Sequence, residues 1–148
     1  MSVKVVATNR KARFEYFLLE TFEAGMVLQG SEIKSIRAGQ ISLNEAYVRI
    51  EDDEVWLVES HIAPYGQASY FNHDPKRRRK LLLNRKEIAH MARAVQEKGI
   101  TIVPTQVYLK DGRAKIEIAL AKGKKTYDKR AAIAERDAQR EMERHSRR

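Results

Sequence analysis

The chain has 148 residues, 29 Lys or Arg against 20 Asp or Glu, a formal net charge of +9, and no cysteine. That length fits one domain plus an appendage. The lack of cysteine excludes disulfides, thiolate catalysis and Cys-rich zinc sites. No stretch approaches the roughly 20 apolar residues of a membrane helix. The Met1–Asn9 segment turns polar too quickly for a secretory signal, so a cytoplasmic protein without a membrane partner is expected.

Taken in chain order, short runs rich in β-branched or large apolar residues predict strands over Phe14–Thr21, Met26–Ile36, Ala46–Ile50, Val55–Ser60, Lys80–Leu83, Ile100–Leu109 and Lys115–Ala121. In the second run a period of two sets Gly30, Glu32 and Lys34 on one face, which predicts a structural Glu32–Lys34 pair. Glu51-Asp52-Asp53-Glu54 has no arrangement compatible with burial and predicts a solvated turn. Lys76 to Lys80 are five consecutive cations behind Asp74-Pro75, which repel one another unless phosphates or carboxylates lie close.

One helix is well specified. Asn84 is positioned to cap it, Glu87 completes a capping box, Ile88, Met91, Ala92 and Val95 form an apolar stripe, and Gly99 ends it. The clearest hairpin turn is Lys110-Asp111-Gly112-Arg113, whose Asp-Gly pair accepts positive φ. Many short strands with one good helix predict a mainly β fold, an OB-fold-like small Greek-key barrel over residues 1–121.

After Ala121 the physics changes. Residues 122–148 carry 10 basic against 5 acidic side chains and almost no large apolar ones. Such a segment buries too little to offset the entropy of ordering, which predicts a disordered basic C-terminal tail that a polyanion organises. In a helix, Arg136, Arg140, Arg144 and Arg148 would form a basic ridge beside Ala131, Ala134, Ala138 and Met142.

Among the aromatics, Phe14, Tyr16 and Tyr127 are candidates for stacking on bases, although Phe14 also fits a core position. His61, His73, His90 and His145 lack metal-ligand spacing, and no Ser or Cys nucleophile stands in a catalytic context. No metal, cofactor or catalytic residue is therefore expected.

Several motifs fall in order: Asn9-Arg10-Lys11-Ala12, Phe22-Glu23-Ala24-Gly25, Gly30-Ser31-Glu32-Ile33-Lys34-Ser35-Ile36-Arg37, Arg79-Lys80-Leu81-Leu82-Leu83 and Ala121-Lys122-Gly123-Lys124-Lys125-Thr126-Tyr127-Asp128-Lys129-Arg130. Over nearly its whole length the chain resembles the SsrA-binding protein family, small protein B. The resemblance implies an OB-fold barrel with flanking helices that is not an enzyme. It would bind the tRNA-like domain of transfer-messenger RNA and enter the A site of stalled ribosomes with elongation factor Tu, as a monomer.

By the same resemblance Tyr16, Glu23, Leu82, Asn84, Lys115, Lys122, Gly123, Lys124 and Lys125 contact or support the RNA. Tyr127, Asp128, Lys129, Arg130, Arg136, Arg140 and Arg144 belong to a tail that becomes helical in the decoding centre and message channel. Tyr127 stands where some relatives carry histidine, so a stacking role survives and a protonated ring does not. The competing expectation is a ribosomal or assembly protein that binds ribosomal RNA without a rescue role. A nuclease using Glu23 and Glu32 comes far behind.

Overall fold

The structure is a computed structural model that describes residues 3–66, 72–124, 130 and 133–140. Its elements are β1 (Val3–Thr8), α1 (Arg10–Glu15), β2 (Tyr16–Met26), α2 (Gly30–Arg37), β3 (Ile41–Ser42), β4 (Tyr47–Glu51), β5 (Glu54–Val58), β6 (His61–Ile62), β7 (Arg79–Leu82), α3 (Arg85–Ala94), β8 (Ile100–Lys110) and β9 (Arg113–Gly123). Seven strands form one antiparallel sheet in the order β1-β8-β9-β2-β7-β5-β4, and β3 pairs with β6. The sheet curls until Cα atoms of β4 come within 8 Å of β8. The expected barrel-like β fold with flanking helices is what the chain forms.

The inner face follows from strand parity. On β9, Ile116, Ile118 and Leu120 alternate with half-buried Lys115 and Glu117, and they join Val107 of β8, Phe22 and Ala24 of β2, Val55 and Leu57 of β5, and Leu81 of β7 in one core. The turns that return these strands are two-residue loops with positive φ: Asp52 (49°) and Asp53 (61°), then Asp111 (50°) and Gly112 (81°). β8 breaks register between Pro104 and Gln106, which tolerates a proline that has no N–H to give. Asn9 fastens α1 there: its amide donates to the Pro104 carbonyl at 2.9 Å, while its side-chain oxygen accepts from the Ala12 N–H at 3.1 Å.

α3 begins with the expected capping box, in which the Asn84 side chain accepts from the Glu87 N–H at 2.9 Å, and it drives Met91 fully into the core. Residues 133–140 are helical and exposed.

Three expectations need correction. Residues 26–36 are not one strand: β2 ends at Met26 and α2 occupies Gly30–Arg37. The Glu32 carboxylate accepts from the Gln29 N–H at 2.8 Å and starts a helix whose buried face is Ser31, Glu32, Ser35 and Ile36. The 3.6-residue period therefore replaces the two-residue one, Lys34 turns away to lie over the Tyr65 ring at 5.5 Å, and no Glu32–Lys34 pair forms. Phe14, expected to open a strand, instead lies in the last turn of α1. β1 was not expected, and it pairs along β8 from Val3↔Lys110 to Thr8↔Gln106.

Candidate nucleic-acid interface

β2 and β9 pair from Tyr16↔Gly123 to Gly25↔Lys115. Those nine steps span about 30 Å at roughly 3.3 Å per residue. Among the described residues, those expected to meet RNA, Asn84 apart, gather at the two ends of this ladder.

At one end stand Glu23, Leu82 and Lys115. Leu82 lies opposite Gly25, and Gly25 lies opposite Lys115. A Cβ at Gly25 would stand 3.4 Å from Leu82 Cβ and 3.8 Å from Lys115 Nζ. Glycine thus leaves an open depression of about 480 Å³ between a leucine that is 52% exposed and a lysine. Glu23 sits beside it. The Tyr108 hydroxyl donates to one Glu23 oxygen, and Lys110 Nζ approaches the other at 3.5 Å. The Tyr108 hydrogen bond, with help from Lys110 and Lys115, outweighs the small cost of burial and holds the Glu23 carboxyl below its ordinary 4.5. Burial, followed by that same bond, pushes the Tyr108 hydroxyl well above its ordinary 10.0. The result at neutral pH is a fixed carboxylate, 41% exposed, that keeps free acceptor capacity amid cations.

At the other end are Tyr16, Lys122, Gly123 and Lys124. Tyr16 is half-buried against Ala12, Val103 and Ala121, and it lines a cleft of about 180 Å³ with Asn9, Lys11 and Tyr47. Lys122 and Gly123 end β9, both exposed. The Lys124 N–H donates to the Glu15 carbonyl at 2.8 Å, and its Nζ reaches the Arg13 carbonyl at 3.4 Å, which ties the end of the barrel to α1. Asn84, next to the first cluster in sequence, acts as the cap of α3. The hold of Tyr108 on Glu23 was not foreseen because the two lie 85 positions apart.

The basic run has a different character. Lys76 pairs with Glu59 (3.6 Å), Arg78 with Glu51 (2.8 Å) and Lys80 with Glu54 (3.1 Å), while Arg77 and Arg79 both pair with Glu32 (2.5 and 2.6 Å). Arg78 also lies over the Trp56 ring at 4.4 Å. The five cations share four carboxylates, Glu32 serving both Arg77 and Arg79, so most of the repulsion within this run is relieved inside the fold without a phosphate.

Of the tail residues, Arg130, Arg136 and Arg140 are exposed, whereas Lys125, Tyr127, Asp128, Lys129 and Arg144 lie outside the described residues. Among the described residues no three His, Cys, Asp or Glu side chains form a metal-binding group, and no helix is long and apolar enough to cross a membrane.

Comparison with known proteins adds three findings. The profile of the SmpB protein family matches residues 6–148. The chain is 57% identical over 145 residues to an SsrA-binding protein of Desulfitobacterium hafniense, covering 98% of this chain and 93% of that one, and 60% identical over 142 residues to an SsrA-binding protein of Roseiflexus sp., covering 95% and 90%. The fold is similar to a chain of a solved structure described as "tmRNA-SmpB: a journey to the center of the bacterial ribosome". That similarity has a TM-score of 0.68 and 46% identity, and covers 80% of this chain and 84% of that one.

Proposed function

The chain belongs to the SmpB protein family, and from that premise we propose that it binds the tRNA-like domain of transfer-messenger RNA and delivers it to the A site of stalled ribosomes in the cytoplasm. The observation that carries this reading is the pair of exposed clusters at the two ends of one rigid ladder. A span of about 30 Å suits a folded RNA rather than a small molecule. Lys115, Lys122 and Lys124 supply affinity through phosphates, while an ionised Glu23 accepts hydrogen bonds from base edges and so contributes discrimination.

Asn84 supports the site by starting α3 directly after β7, the strand that presents Leu82. Because β9 runs to Gly123 and Lys124 is tied to α1, the barrel extends past the expected boundary at Ala121, and residues 125–148 form the second working part. Their cations, Arg136 and Arg140 among them, suit the small-subunit decoding centre and message channel, where surrounding phosphates favour a basic helix. The protein acts as a monomer, and elongation factor Tu joins it through the shared RNA rather than through a site on the barrel.

The experiment compares affinities for a tRNA-like-domain transcript and a plain duplex across a salt series. The slope of log affinity on log salt should be about 0.7 to 0.9 per phosphate contact. Glu23→Gln should lower the preference for the transcript over the duplex, with little change in slope. Equal weakening on both RNAs would contradict the role given to Glu23.

A further inference from the structure

Phe17 is a large apolar side chain left 45% exposed on β2. Its placement follows from the strand. Leu18 turns inward against Ala12, Val103 and Ala121, so Phe17 turns outward. A bulge between Leu18 and Glu20 leaves Leu19 unpaired and 55% exposed beside it. Across the ladder Phe17 faces Lys122, and Lys124 Nζ lies 5.1 Å from the centre of its ring.

Charge here contrasts with the Lys76–Lys80 run, whose five cations all lie against carboxylates. Among the described residues no carboxylate lies within 4.0 Å of the side-chain nitrogens of Arg10, Arg13, Lys122 or Lys124. Two uncompensated cations, Lys122 opposite in the ladder and Lys124 over the ring, beside a solvent-facing aromatic are the parts from which proteins build platforms for unpaired bases: the ring stacks, and the cations hold the neighbouring phosphates.

We propose that Phe17, flanked by Lys122 and Lys124, is a stacking platform for an unpaired nucleobase of the bound RNA. This rests on the RNA-binding function above and adds a residue to it. Tyr16 is anchored in the small second core and supports the platform from behind the strand, while its neighbour offers the open ring.

The test measures binding of wild type, Phe17→Ala, Phe17→Trp and Lys122→Gln to a tRNA-like-domain transcript and to a blunt duplex of equal length. Phe17→Ala should bind the transcript roughly tenfold more weakly, about 1.4 kcal/mol for one stacked base, and the duplex as wild type does. Its thermal midpoint should not move, because an exposed ring contributes little to folding. Phe17→Trp should restore affinity, and its fluorescence should be quenched by the transcript beyond any quenching of Trp56 in wild type. Lys122→Gln should instead reduce the salt slope on both RNAs. Wild-type affinity for the transcript in Phe17→Ala, or equal loss on both RNAs, would overturn the platform and leave the function standing. No preference for the transcript by the wild-type protein would overturn both.

Discussion

Replacing Glu32 by alanine will destabilise the fold by about 3–5 kcal/mol, the cost of leaving a buried cation without its partner. Arg79 has no exposed side-chain surface, and neither has Glu32. Arg79 Nε donates to one Glu32 oxygen at 2.6 Å and Arg77 donates to the other at 2.5 Å, while further Arg79 nitrogens donate to the carbonyls of Ser60, Pro75 and Asp74. One carboxylate thus joins α2 to β7 and starts α2 through the Gln29 N–H. A fall in Tm of roughly 10 °C or more is expected by calorimetry; a loss below about 1 kcal/mol would show that Arg79 finds other compensation.

Glu32 also sets an acid limit. Burial alone would raise its carboxyl pKa, but hydrogen bonds from Arg77, the Gln29 amide and Arg79 outweigh it and hold the group below its ordinary 4.5. On acidification the unfolded chain therefore takes up this proton before the folded chain does. The contribution is complete above 4.5 and is withdrawn as pH falls through the lower folded value. Glu32→Gln, which keeps the size of the side chain, should lose stability at neutral pH and show a flatter acid limb than wild type. An unchanged acid limb would place the pH dependence elsewhere, with Glu51, whose pKa is also lowered, as the next group to test.

The second large effect concerns function. Removing residues 126–148 keeps Tyr16, Glu23, Leu82, Lys115, Lys122 and Lys124 in place while discarding most of the tail cations. Affinity for the tRNA-like domain should be mostly retained, because the exposed clusters all lie on the barrel. Tagging of nascent chains on stalled ribosomes should be abolished, because the part proposed to enter the message channel is gone. Binding and tagging lost together would contradict the division of labour between barrel and tail.

Local chemistry made much of this architecture legible. Asp111-Gly112 and Asp52-Asp53 mark their turns because few other residues accept positive φ, and Asn84 with Glu87 marks a helix start within four residues. α2 was misread because Ile33 and Ile36 satisfy a helix while Gly30, Glu32 and Lys34 satisfy a strand, and the deciding partners of Glu32 lie 45 and 47 residues further on. The basic run was visible as charge. Its pairing was not, since Glu32 lies on α2 and Glu51, Glu54 and Glu59 lie on or beside β4 and β5, which only the folded sheet brings to the run. The exposure of Phe17 depends on strand parity plus a one-residue bulge, and a composition of Tyr, Phe and Leu carries no mark of either.

The proposed role depends most on which RNA this protein holds in the cell. Purifying the full chain under low salt and sequencing the RNA bound to it tests that directly. Transfer-messenger RNA should be strongly enriched over its share of total RNA, and Glu23→Gln should reduce that enrichment. Recovery of ribosomal RNA alone, unchanged by Glu23→Gln, would contradict the account and favour a structural binder of the ribosome.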